Sequence, residues 1–306
     1  MTVDVLPALT ATVRCAAHPR GGGCGHPDSV LAEREDGTVV RHGGTVAKAH
    51  APGTDLGELS LRLGAAADLP EVFLAPLRPT PADLHGRLVS FWPYGTPVDP
   101  DIPDAAPWEA AATLLAQLHR VPAPTGLPAM RGPAKAARAV QRLRAAGPHP
   151  AAASVLRAWA GLPAWARAEA PMPSARFLCH GDLHLGQLVR HPGGTGPWLL
   201  IDVDDLGLGE PAWDLARPAA WYACGLLPPD EWGRFLDAYR RAGGPAVPST
   251  GEPWPALDVP ARALTVQTAA RAVAKSAAAD RALDEVEQAV VDACARIASI
   301  PPKLGQ

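Results

Sequence analysis

Two short apolar runs, each ending in a polar loop that carries aspartate, constrain this chain more than any other feature. Residues Cys179 to Val189 read C-H-G-D-L-H-L-G-Q-L-V, and I-D-V-D-D follows at Ile201 to Asp205. The runs before them, A-R-F-L-C and P-W-L-L-I-D-V, read as brief strands, so the acids are expected where strands end. The interval between Asp182 and Asp202 leaves room for one strand-turn-strand unit, with its turn at His191 to Gly196, H-P-G-G-T-G. Phosphoryl transfer needs a carboxylate to orient or deprotonate the attacking hydroxyl, beside oxygen ligands for a hard cation. Asp182, the amide of Gln187 five residues later and Asp202 at a strand end supply those groups.

Composition narrows the classes. At 306 residues, 47% hydrophobic and 19% charged, the chain has enough apolar mass for one large domain or two lobes with cores. A formal net charge of −3 argues against nucleic acid as the main partner, because phosphate-backbone binding draws on clustered Lys and Arg. The five cysteines are scattered and lack C-x-x-C spacing, which fits reduced thiols in a cytoplasmic protein. The N-terminal M-T-V-D-V-L-P carries an acid in place of a basic n-region, and no uninterrupted apolar run is long enough to span a bilayer, so neither secretion nor membrane insertion is expected.

The texture changes along the chain. T-A-T-V-R-C, S-V-L-A-E-R, T-V-V-R-H, T-V-A-K-A-H and R-L-V-S-F-W favour strands, separated by turns such as Asp36-Gly37 and Gly43-Gly44, and predict a small antiparallel sheet. One helix interrupts it, with Leu56, Leu59 and Leu63 on one face and a cap within Gly53 to Asp55. Beyond the proline-rich W-P-Y-G-T-P-V-D-P-D-I-P-D the pattern turns helical. Trp108, Ala111, Leu115 and Leu118 share one face, and further helices are expected at 134–146, 151–168, 211–224, 229–242 and 261–297.

These segments carry a resemblance. H-G-D-L-H-L-G-Q with L-L-I-D-V-D-D-L-G-L-G-E-P-A-W-D-L-A, supported by T-V-A-K-A-H, F-W-P-Y-G and L-L-A-Q-L-H, resembles the aminoglycoside phosphotransferase and choline kinase group, and the catalytic loop is similar to that of maltokinases. The resemblance implies an α+β, bilobal, protein-kinase-like fold. It has a β-rich nucleotide-binding lobe over residues 1–91, a connector over 92–104 and a larger, mostly helical lobe over 105–306. It implies ATP or GTP as phosphoryl donor, Mg2+, and a hydroxylated small molecule as acceptor: an aminoglycoside, peptide antibiotic, sugar or amino alcohol, in antibiotic resistance or natural-product metabolism. A monomer or homodimer is expected.

By the same resemblance Asp182 is the catalytic aspartate, and Gln187, where many relatives carry asparagine, binds Mg2+ with Asp202. Lys48 contacts the nucleotide phosphates and is held by Glu58. Trp92 and Tyr94 lie at the connector, against the adenine. Asp204 and Asp205 assist or receive a cationic acceptor, and Asp214 ties a helix start to the catalytic loop. The glycine-rich Pro19 to Pro27 segment is a candidate phosphate cover. Two other readings stand beside this one: a His/Asp metal hydrolase, and a weakened kinase-like protein that binds nucleotide or peptide without small-molecule turnover.

Overall fold

Alternation along β3 (Thr45–His50) decides how the first part of the chain packs. Ala47 and Ala49 point to one face of a five-stranded antiparallel sheet, and Val46, Lys48 and His50 to the other. The computed structural model describes residues 5–18, 25–34, 36–102, 105–173 and 175–299. The sheet has the order β1-β2-β3-β5-β4, with β1 (Asp28–Arg34), β2 (Gly37–His42), β4 (Ala82–Leu84) and β5 (Arg87–Pro93). Its alanine face packs with Val40, Val89 and Phe91 against Leu9 and Val13 of a helix, α1 (Val5–Ala17).

That helix corrects the strand expected at T-A-T-V-R-C. Threonine and valine alternate there as in a strand, but Leu9 and Val13 are four apart and meet the sheet together. The Thr10 and Thr12 hydroxyls donate to the Leu6 and Ala8 carbonyls, both at 2.8 Å, so each hydroxyl is satisfied within the helix. The second helix, α2 (Leu56–Ala67), forms where its leucine spacing placed it, and the Asp55 carboxylate caps it by accepting the Glu58 N–H at 2.8 Å.

The chain divides by contact into two units. Met1–Ala106, Pro124–Pro128 and Leu185–Asp204 form the first; Pro107–Ala123, Ala129–His184 and Asp205–Gln306 form the second. Boundaries read along the chain assign 185–204 to the helical lobe, and hydrogen bonding explains the different grouping. The hairpin of β8 (Leu188–Arg190) and β9 (Trp198–Leu200) pairs with β6 (Thr96–Pro97). Leu200 also donates to the Val72 carbonyl at 2.8 Å and accepts from Leu74 at 2.9 Å. Leu74, Val189, Leu199 and Ile201 seal the junction.

The second unit is built from α3 (Trp108–Arg120), α4 (Gly132–Ala145), α5 (Ala152–Ala160), α6 (Ala212–Ala223), α7 (Pro229–Arg241), α8 (Trp254–Ala279) and α9 (Glu285–Ser299). A two-stranded ladder of β7 (Phe177–Cys179) and β10 (Gly207–Gly209) completes it. The single helix expected at 261–297 is two: Asp280, at φ 46°, breaks α8, and Asp284 and Glu287 exchange backbone and side-chain bonds as a capping box that starts α9. The helix expected at 151–168 ends at Ala160, before Gly161.

Candidate active site

The polar loops organise two charged clusters, one in each unit. In the second unit, β7 delivers the chain into His180, Gly181 and Asp182. Gly181 sits at φ +84°, and a Cβ there would lie 2.5 Å from the Asp205 carbonyl oxygen, so the turn that presents Asp182 admits only glycine comfortably. Below it, Asp214 near the start of α6 accepts the His180 N–H at 2.6 Å and the Gly181 N–H at 2.7 Å, and its side chain is fully buried. His119 Nε2 lies 3.0 Å from the same carboxylate, and His119 Nδ1 lies 2.8 Å from the Tyr239 hydroxyl. The tie expected of Asp214 is thus made through two backbone amides.

Asp182 itself is clamped by two cations. Lys135 Nζ of α4 is 2.7 Å from Oδ2, and Arg217 Nη2 of α6 is 2.6 Å from Oδ1. Lys135 also reaches Asp205 at 2.6 Å, and Arg217 Nε donates to the Leu183 carbonyl at 2.9 Å. Burial works against ionisation of Asp182, but Lys135 and then Arg217 outweigh it and hold the carboxyl at about 2. Lys135 is likewise held charged, burial being overcome by Asp205 and Asp182. Because the folded carboxyl titrates below its ordinary value of 3.8, the clamp stabilises the fold fully above that value and is lost as pH falls through about 2. The urea midpoints of the wild type and of Asp182→Asn should therefore stay apart through neutral pH and converge in that acid window.

The second cluster lies wholly in the first unit. Lys48 Nζ is 2.7 Å from Asp202 Oδ1 and 2.9 Å from Asp204 Oδ2. Burial would discharge this lysine, but the two carboxylates overcome it and keep it firmly protonated; both acids are correspondingly lowered against their own burial. Asp202 has φ 68°, a left-handed backbone that aspartate tolerates better than most residues. Gln187 Nε2 lies 3.4 Å from Asp202 Oδ2.

The donor set fits a hard cation. Turning the Gln187 amide over places Oε1 where Nε2 lies, 3.4 Å from a carboxylate oxygen. Two adjacent ligands of an octahedral Mg2+ lie about 3 Å apart. Asp202 and Gln187 could therefore hold one ion on the first unit.

The structure separates other expected partners. Lys48 pairs with Asp202 and Asp204 in place of Glu58, which instead bonds Arg62 at 3.0 Å across one turn of α2. Asp204 also meets His50 at 2.6 Å, so Asp204 and Asp205 are both already compensated by cations or hydrogen-bond donors of the protein. Trp92 belongs to β5; it is buried, and its indole N–H donates to Ser90 Oγ at 2.9 Å. Tyr94 follows the strand, donates its N–H to the Gly44 carbonyl at 2.8 Å and lies under the Arg41 guanidinium, 3.5 Å from its ring centroid. Of the proposed glycine cover, residues 19–24 lie outside the described residues.

A metal-hydrolase arrangement has its nearest counterpart, among the described residues, in His119, Cys179 and Asp214. All three are buried, and Asp214 is occupied by backbone amides. Lys135, Arg217 and His50 are residues the sequence reading missed. His50 follows Lys48 by two on a strand, and Arg217 follows Asp214 by three on a helix, so periodicity held a signal for both. Lys135 has none: it is one basic residue among several on α4.

The sequence matches the phosphotransferase enzyme family model (APH) over residues 41–258, well over half of the chain. The chain belongs to that family. It is, with the family, a phosphotransferase. No curated protein sequence matches it. Among solved structures it is similar to a choline/ethanolamine kinase family protein from Mesorhizobium loti, at 17% identity over 98% of this chain and 96% of that one, TM-score 0.57. It is also similar to a spectinomycin phosphotransferase solved with ADP and spectinomycin, at 14% identity over 94% and 97%, TM-score 0.61. A thermostable mutant of an aminoglycoside phosphotransferase in its apo form gives 16% identity over 94% and 99%, TM-score 0.62. At these identities the likeness establishes the α+β, kinase-like fold of the family.

Proposed function

We propose that this family member moves the γ-phosphoryl group of ATP or GTP, with Mg2+, to a hydroxyl of a small molecule. The observation that carries the reading is the state of Asp182: an ionised carboxylate, presented by a glycine turn and fixed on both oxygens by cations. Held at about 2, it is a weak base. That suits a loose transition state, in which the attacking hydroxyl needs orientation first and gives up its proton late. Asp182 would accept the hydroxyl hydrogen bond and aim the oxygen, the remaining lone pairs of its carboxylate being available for it.

Asp202 and Gln187 would hold Mg2+, which when bound neutralises charge on the nucleotide phosphates. Lys48 would contact the same phosphates. For Trp92 and Tyr94 the strand end remains the proposed place of the adenine, met by backbone groups and by the Tyr94 ring. Since Asp204 and Asp205 already face Lys48 and Lys135, we assign both to internal charge balance, and recognition of an aminoglycoside, peptide antibiotic, sugar or amino alcohol to other groups.

Among the described residues no helix is long and apolar enough to cross a membrane, and Cys15, Cys179, Cys224 and Cys294 are free thiols. Both suit a cytoplasmic enzyme supplied with ATP.

Incubation with ATP, Mg2+ and a panel of hydroxylated antibiotics, sugars and amino alcohols should give a phosphorylated product. Neither turnover nor nucleotide-induced stabilisation would sink the assignment, and stabilisation without turnover would favour a protein that only binds. Asp202→Ala should weaken Mg-nucleotide binding at least about tenfold, a loss of roughly 1.4 kcal/mol, as read by calorimetry. Unchanged affinity would remove Asp202 from the metal site.

A further inference from the structure

We propose that His50 is the positioning residue for Lys48: it fixes Asp204, and Asp204 in turn holds the lysine where the nucleotide phosphates are to be met. The inference rests on the phosphotransferase reading, and its geometry lies entirely within the first unit.

The sheet lines up the groups. Strand alternation puts Lys48 and His50 on one face of β3, and the register Lys48↔Ser90 and Val46↔Trp92 sets Ser90 and Trp92 of β5 on that same face. From these residues a continuous hydrogen-bonded line runs to the acid loop. The Trp92 indole N–H donates to Ser90 Oγ at 2.9 Å, Ser90 Oγ lies 2.7 Å from His50 Nε2, and His50 Nδ1 lies 2.6 Å from Asp204 Oδ1. Asp204 Oδ2, the other oxygen, meets Lys48 at 2.9 Å.

Donor counting sets the directions. Asp204, paired with Lys48 through Oδ2, offers Oδ1 as an acceptor, so the His50 Nδ1 N–H donates to it. The Trp92 indole only donates, which leaves the Ser90 hydroxyl hydrogen for His50 Nε2. Every polar atom of the line is then matched. Burial protects the inner part of the line, His50 and Ser90 each being 1% exposed, while Asp204 at its end is partly exposed. Arg87 Nη2 donates to the Ala49 carbonyl at 3.3 Å, and its Nε to the His50 carbonyl, steadying the strand end that carries the imidazole.

The line does what a helix glutamate was expected to do. Glu58 is engaged with Arg62, and the anchor of Lys48 comes from the acid loop itself. An aspartate side chain on a loop can swing about two torsions. With Oδ1 fixed by a buried imidazole, Oδ2 has one direction left, toward Lys48.

The test is binding of the non-hydrolysable analogue AMP-PNP with Mg2+, measured by calorimetry, together with steady-state kinetics. His50→Ala should weaken AMP-PNP binding roughly tenfold and raise the nucleotide KM by more than it lowers kcat. His50→Asn, whose side-chain N–H can stand where Nδ1–H stood, should recover most of the loss. Asp204→Asn should weaken binding similarly, and adding His50→Ala to it should cost little more, since both act through one contact. This pair also keeps the proposal testable if His50→Ala alone folds poorly. Wild-type affinity in His50→Ala, no recovery in His50→Asn, or additive losses in the double variant would each overturn the positioning role. If the wild type itself takes up no AMP-PNP, the phosphotransferase reading falls and this inference with it.

Discussion

Asp182→Ala should lower kcat by about a thousandfold, within the range that a positioned acid or base contributes, while AMP-PNP affinity stays close to that of the wild type. The division of contacts is the reason. Asp182, its partners Lys135 and Arg217, and the Asp205 that shares Lys135 all belong to the second unit, whereas Lys48, Asp202 and Gln187 belong to the first. Removing the carboxylate leaves Lys135 with Asp205 and leaves Arg217 bonded to the Leu183 carbonyl, so two cations lose a counter-charge. A modest fall in stability is therefore expected as well, and Asp182→Asn serves as the control that keeps the volume. Substantial residual turnover in both variants would mean that another group orients the hydroxyl.

Asp214→Ala should destabilise the second unit by about 3–5 kcal/mol, since it strips a buried carboxylate from donors that have no water to replace it. The orphaned groups are the His180 and Gly181 amides, at 2.6 and 2.7 Å, and one side of His119. For a unit of this size the melting temperature should fall by about 10 °C. Asp214→Asn should recover little, because an amide presents one acceptor and would point an N–H at a backbone N–H. Activity should fall further than stability alone accounts for, as the same two amides place the turn before Asp182. A wild-type melting temperature in Asp214→Ala would show that the loop is held by other contacts.

Much of this was legible from residue order. The strands at Thr45–His50 and Arg87–Pro93, the helix capped by Asp55 and the helices from Trp108 onward follow from alternation and helical spacing, because each element must bury one face whatever surrounds it. The failures were local ambiguities that packing resolved. Thr10, Thr12 and Val13 look strand-forming until Leu9 and Val13 are seen to meet the sheet together. The break at Asp280 lies in an alanine-rich run that has no Gly or Pro to mark it.

The polar sites divide the same way. Gln187 and Asp202 could be named from the sequence because they flank one hairpin, β8 to β9, and Asp182 because it follows the short strand β7 in the H-G-D loop. Asp214 could be named because it opens a helix a short stretch beyond. The identity of their counter-charges could not. Lys135 reaches Asp182 from 47 residues away and Lys48 reaches Asp202 from 154, and a cation tens of residues away is chosen by whichever chain packing brings near. Sequence alone therefore determined the fold class and where along the chain these acids fall. Tertiary structure decided what neutralises each acid: Asp204 rather than Glu58 beside Lys48, and Lys135 with Arg217 around Asp182. Charge pairing over long separations has no period to read, only geometry.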